Sequence, residues 1–76
     1  MQENLLILRK RKGMSQREMA NILGITETQY GAKERGESDF KGTEMFTIAD
    51  FFAKPIENIF LPLVRQNGVS INESEE

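Results

Sequence analysis

The residues able to do chemistry in this 76-residue chain are cations, carboxylates, amides and hydroxyls, because it contains no Cys and no His. Those two absences remove thiolate nucleophiles, imidazole bases, disulfide frameworks and most zinc sites together. No glycine-rich phosphate loop and no metal cluster can be read from the remaining residues, so neither a cofactor nor a metal is expected, and an enzyme would have to work from carboxylates, Lys and Tyr30 alone. What remains is charge. Ten Lys and Arg against twelve Asp and Glu give a formal charge of −2. The two halves differ. Residues 1–36 hold seven cations (Arg9, Lys10, Arg11, Lys12, Arg17, Lys33 and Arg35) against four carboxylates, a balance of +3, whereas residues 37–76 hold three cations against eight, a balance of −5. A chain near neutrality on average can carry one basic face, and a basic face is the footprint of a polyanion partner.

These cations must be positioned by elements, and the punctuation for helices is dense. Leu5, Leu6, Ile7 and Leu8 are followed by four consecutive cations and then Gly13. Cations suit the last turn of a helix and Gly suits its end, which predicts a first helix stopping at Gly13. Ser15-Gln16-Arg17-Glu18 can form a capping box that opens a second helix, carrying Met19, Ala20 and Leu23 up to Gly24. Thr26-Glu27-Thr28-Gln29 repeats the signal for a third helix, stopped by Gly36. Glu37 to Gly42 has no periodicity and reads as a surface loop. The spacing of Met45, Ile48, Ala49 and Phe52 is an amphipathic stripe that predicts a fourth helix over roughly 43–53. Pro55 to Pro62 brackets a short fifth helix with Ile56, Ile59 and Phe60 on its apolar face. Beyond it, Val64, Asn67-Gly68, Val69 and Ile71 lead into an acidic end that reads either as a frayed tail or as a short strand. The reading is all-helical, with one domain over 1–62 and a C-terminal tail over 63–76, either a dimerisation arm or disordered.

Two short capped helices joined at Gly24, with the small Ala20 where they must approach, make a helix-turn-helix. Gln16-Arg17-Glu18-Met19-Ala20, Leu23-Gly24-Ile25-Thr26, Tyr30 and Glu34-Arg35-Gly36 resemble the Cro/CI-type (XRE) domain of phage repressors and bacterial regulators. The resemblance extends from Leu5 to about Leu61 and includes Glu44-Met45-Phe46, Ile48-Ala49, Phe52, Ile56 and Ile59-Phe60-Leu61-Pro62, a pattern similar to small regulators of Gram-positive bacteria and their phages. It implies a five-helix, lambda-repressor-like fold that binds double-stranded DNA. One position departs from the family pattern. Lys33 stands where a bulky apolar residue is usual, and its stem is expected to lie along Tyr30 or the first helix with the ammonium in solvent or on a phosphate.

A major groove about 12 Å wide admits one helix, so the third helix can touch base edges while the second crosses the backbone. Its outward positions are Glu27, Thr28, Gly31 and Ala32, with Gln29 near the edge. The resemblance places base contacts on Glu27, Thr28 and Ala32, and backbone contacts on Gln16 and Arg35. Gln29 is weighed both as a base contact and as the capping partner of Thr26, and Glu27 both as an acceptor from cytosine and as a first-turn carboxylate favoured by the helix dipole. Gly31, which costs up to about 1 kcal/mol against Ala within a helix, is compatible with close approach of backbone to DNA. Arg17, Lys33 and Lys12 join the expected phosphate contacts, against the alternative of a merely solvated face. The resemblance also implies that Arg9 pairs with Glu34, a partly buried tie between the first and third helices.

Phe40, Phe46 and Phe51 exceed what one stripe can bury, so at least one is expected near the surface. With no apolar run near 20 residues and no charged-then-apolar leader, neither a membrane span nor a signal peptide is expected, and the class is a soluble cytoplasmic domain. A homodimer on a two-fold operator is the expected assembly, with Phe60, Leu61, Leu63 and Val64, or the segment to Ile71, as its interface. A competing reading from another class is an antitoxin or anti-repressor whose acidic half holds a protein partner, with DNA secondary.

Overall fold

Ser15 and Thr26 open their helices by the same reciprocal exchange. The Ser15 hydroxyl accepts from the Glu18 amide at 3.0 Å while the Ser15 amide donates to Glu18 Oε1 at 2.8 Å; Thr26 and Gln29 make the matching pair of bonds at 3.0 Å each. Gly24 and Gly36 close the same two helices in the left-handed conformation, at φ 72° and 86°, which an L side chain adopts only with strain. The computed structural model describes residues 1–60. In it the chain runs α1 (Glu3–Arg11), α2 (Gln16–Leu23), α3 (Glu27–Arg35), α4 (Gly42–Phe52) and α5 (Ile56–Ile59), with no strand among the described residues. The all-helical reading and the order of its five helices hold, with boundaries shifted by a residue or so at α1, α4 and α5. The tail over 63–76 and the interface candidates Leu61, Leu63, Val64 and Ile71 lie outside the described residues.

α2 packs on α3, α4 on α5, and α1 against both α3 and α5. Leu5, Met19, Tyr30, Ile48 and Ile59 are fully buried between them, and Ala20, small as the crossing requires, is nearly so. Phe40 departs from the expected surface loop. It turns inward, edge-on to Tyr30 at 5.9 Å and to Phe60 at 5.2 Å between ring centroids, because a short core gains more from one further buried aromatic than an exposed connection does. Phe60 is thereby a core residue and not a surface available for dimerisation, which corrects its place among the interface candidates. Phe46 is 65% exposed and Phe51 38%, as the surplus of aromatics required.

The polar centre of the fold is Glu34, which is 3% exposed. Arg9 of α1 donates to it twice, from Nε at 2.8 Å and Nη2 at 3.1 Å, and Tyr30 donates its hydroxyl proton at 2.9 Å. Gln16 of α2 adds a fourth bond from Nε2 at 3.0 Å. Each carboxylate oxygen thus accepts two donors, and the third Arg9 nitrogen, Nη1, is taken up by the Met14 carbonyl at 2.8 Å. Burial alone would raise the Glu34 pKa, but the bonds from Arg9, Gln16 and Tyr30 outweigh it and hold the carboxyl below its ordinary value. Burial and the Glu34 charge push the Tyr30 phenol upward, so it remains a proton donor.

A second tie corrects the expectation for Lys33. Its ammonium meets neither solvent nor a free phosphate-facing surface: it donates to Glu44 Oε1 at 2.7 Å and to the Asp39 carbonyl at 3.3 Å, and the side chain is 12% exposed. Glu44 also accepts from the Lys41 amide at 2.8 Å, and these bonds overcome its burial and lower its pKa. The cation that stands in place of an apolar residue therefore fastens α3 to the start of α4.

Two outcomes follow from the buried carboxylates. Glu34→Ala strands the Arg9 guanidinium and is expected to lose about 3–5 kcal/mol, whereas Glu37→Ala, which breaks only an exposed pair, changes stability little; thermal midpoints of the two variants compare them. Equal midpoints would remove the Arg9–Glu34 pair from the account. Because the folded pKa values of Glu34 and Glu44 lie below the ordinary 4.5, their stabilisation is complete above that pH and is lost as pH falls through the lowered folded values. Acid unfolding followed by circular dichroism should show that loss in the wild type, with a flatter acid limb in Glu34→Ala.

Candidate nucleic-acid interface

α3 presents one continuous face. Tyr30 and Glu34 point inward and are buried, while Glu27 and Thr28 in the first turn are exposed and Ala32 is partly so. Gln29 is exposed, yet its side-chain oxygen and backbone amide are both engaged by Thr26, so the capping role weighed for it is the one the geometry provides; its side-chain amide protons stay available. Glu27 sits in the first turn of α3, where a carboxylate favours the dipole, and lies 3.8 Å from Arg17, both side chains well exposed. That separation is too long for a hydrogen bond, so each group keeps its own bonding capacity.

Gly31 is the position where the structure departs most from an open helix surface. It is buried, and the cover is side chain rather than backbone: a Cβ placed there would stand 3.1 Å from Arg35 Nη1 and 3.4 Å from Gln16 Oε1. The residue read as a point of backbone approach is instead the floor beneath two polar groups from different helices. Gln16 reaches this spot from the first turn of α2, and Arg35 from the last turn of α3. One amide proton of Gln16 is spent on Glu34, which fixes the side chain and aims its oxygen over Gly31. Arg35 is half-exposed and makes a forked pair with Glu37, Nε to Oε2 at 2.8 Å and Nη2 to Oε1 at 3.2 Å. The hydrogen bonds and charge of Glu37 raise the Arg35 pKa, and those of Arg35 lower that of Glu37, so both remain ionised at neutral pH.

On the other side of α3, Thr28, Gln29 and Ala32 line a shallow recess with Ser38 and Lys41. Lys41 is the N-cap of α4, and the turn after Gly36, which returns the chain along α3, brings it and Ser38 there. Arg17 lies exposed beside Gln16 at the start of α2. Lys12 is elsewhere: its ammonium stands 5.4 Å from the centre of the Phe51 ring, on the side where α1 meets α4. The structure therefore brings together Gln16, Arg17, Glu27, Thr28, Ala32 and Arg35 along the helix-turn-helix and sets Lys12 apart from them, while Lys33 lines the recess beside Thr28 and Ala32 with its ammonium committed to Glu44. Among the described residues no group of three or more carboxylates is placed to hold a metal ion, and no helix is long and apolar enough to cross a membrane.

The arrangement is that of a readable helix with small and hydrogen-bonding side chains on its face and amide and guanidinium groups at its ends. Helices of this kind enter a major groove while the ends meet phosphates. No curated protein matches the sequence. The family model described as Helix-turn-helix matches residues 5–59, from within α1 to the end of α5. On that match, and with the fold and the capped helix pair in place, the chain belongs to the Cro/CI-type (XRE) helix-turn-helix family of DNA-binding transcription regulators.

Proposed function

We propose that this protein binds a two-fold operator as a homodimer and acts as a Cro-like or repressor-like regulator, with α3 in the major groove. The observation that supports it most is the convergence of Gln16 and Arg35 over Gly31, at the flank of the Glu27, Thr28 and Ala32 face. In this reading Thr28 and Glu27 meet base edges, a thymine methyl and a cytosine amine being the partners their chemistry suits, Ala32 packs against a base, and the free amide protons of Gln29 are within the same groove. Gln16, Arg35 and Arg17 hold phosphates. Gln16 does so at the start of α2, where the helix dipole and unpaired amides favour an anion.

A module that reads with one short helix buries too little surface for high affinity at physiological salt, and a two-fold pair doubles every contact. A second reading, binding of a protein partner through the acidic half, is favoured by one observation: Phe46 projects from α4 at 65% exposure with no ring partner among the described residues.

Two measurements separate these readings. Thr28→Ala and Glu27→Ala are expected to change which duplexes are preferred, while Gln16→Ala and Arg35→Ala weaken binding to all duplexes by nearly the same factor, because phosphate contacts carry register and affinity rather than sequence. Binding curves on a panel of duplexes below each variant's thermal midpoint read this directly; altered preference in Gln16→Ala with unchanged preference in Thr28→Ala would overturn the docking.

In the second measurement, duplexes selected from a random pool are remade with about five extra base pairs, half a helical turn, between their half-sites. A dimer whose recognition helices lie about 34 Å apart loses most of its affinity for the remade duplex, and both complexes weaken as salt rises through counterion release. Equal affinity for the two duplexes would mean independent monomers. Undetectable or salt-insensitive binding would favour the protein partner.

A further inference from the structure

Arg35 is placed to grip a phosphate, yet its grip is already occupied. Its Nε and Nη2 donate to the two oxygens of Glu37 at 2.8 and 3.2 Å, the forked geometry by which a guanidinium also binds a phosphate. The carboxylate is held there by the backbone. Gly36 turns through the left-handed region at φ 86°, and the Glu37 amide donates to the Ala32 carbonyl at 2.9 Å, which folds residue 37 back beside the last turn of α3. Side-chain exposures of 49% for Arg35 and 61% for Glu37 leave the fork open to a competing anion. The neighbouring Arg17–Glu27 pair, at 3.8 Å, occupies no donor in this way.

We propose that Glu37 is an internal competitor of DNA phosphate for the Arg35 fork, and so sets the protein's affinity for duplexes of every sequence. The inference rests on the reading of Arg35 as a phosphate contact. Binding then exchanges one oxyanion for another on the same two nitrogens. The released carboxylate returns to water, which keeps the exchange easy, and the net gain from the Arg35 contact is smaller than an unpartnered guanidinium would supply. Before DNA arrives, the carboxylate also keeps the guanidinium extended over Gly31, beside Gln16.

The test is a double-mutant cycle on the full chain: wild type, Glu37→Gln, Arg35→Ala and the double variant, each titrated against a fluorescent duplex from the random-pool selection and against a mixed-sequence duplex at one fixed salt concentration. Glu37→Gln is expected to bind both duplexes about two- to five-fold more tightly, the size of effect an exposed pair supports. Arg35→Ala is expected to bind both more weakly, and Glu37→Gln to have no effect in the Arg35→Ala background. Three results would overturn the proposal while leaving Arg35 as a phosphate contact: unchanged affinity of Glu37→Gln, weaker binding of Glu37→Gln, or an equal gain from it in the Arg35→Ala background, which would assign Glu37 a general repulsion of DNA. Wild-type affinity of Arg35→Ala would overturn the phosphate contact itself, and the competition with it. Matching circular dichroism spectra for the four proteins establish that all are folded.

Discussion

The Glu34 carboxylate is the one buried charge on which the geometry of three helices depends. Removing a carboxylate from water is expensive unless its lone pairs are filled, and here all four bonds come from groups that must be in place together: two from Arg9 on α1, one from Gln16 on α2, and one from Tyr30 a turn earlier on α3. A rotation of α3 about its axis would break several of these at once. The same rotation would move Thr28 and Ala32 away from the surface they present. The network's value therefore lies less in net stability, which a well-packed apolar replacement could match, than in fixing which side of α3 faces out.

That constraint continues outward to the interface. Gln16 is shared between the buried carboxylate and the surface over Gly31, so the core network and the proposed phosphate contact are linked through one side chain. Lys33 and Glu44 act at the opposite flank of α3, tying it to α4 through a pair that is mostly buried. With α3 fastened on both sides, the residues proposed to face the groove sit on a rigid element, which favours accurate reading of base edges.

Much of this was legible in the sequence, because local chemistry sets it. Ser15 with Glu18, Thr26 with Gln29, and the glycines at 24 and 36 specify helix ends through bonds between residues three apart or through a backbone conformation that needs no distant partner. The Arg9–Glu34 tie came through the family resemblance and not from spacing, since nothing local joins residues 25 apart. What escaped the sequence depends on tertiary approach. Phe40 lies in an aperiodic stretch, and its inward turn is decided by the gap between Tyr30 and Phe60. Lys33 was expected to snorkel, but a carboxylate eleven residues on, at the start of α4, captures its ammonium. Gly31 reads from helical spacing as an outward position, yet Gln16 and Arg35 fold over it, and Lys12 belongs by charge to the basic segment yet lies beside Phe51.

The central claim is that the face of α3 set by Glu34, flanked by the start of α2, is what meets DNA. Titration of isotope-labelled protein with a mixed-sequence duplex at low salt, followed by amide chemical shifts, tests it residue by residue. The account predicts that shifts concentrate at Ser15 to Arg17, Glu27 to Ala32 and around Gly36, with Phe46, Phe51 and Glu57 on the outer side of α4 and α5 unmoved. Shifts concentrated on that outer side, with Thr28 and Ala32 unmoved, would contradict it.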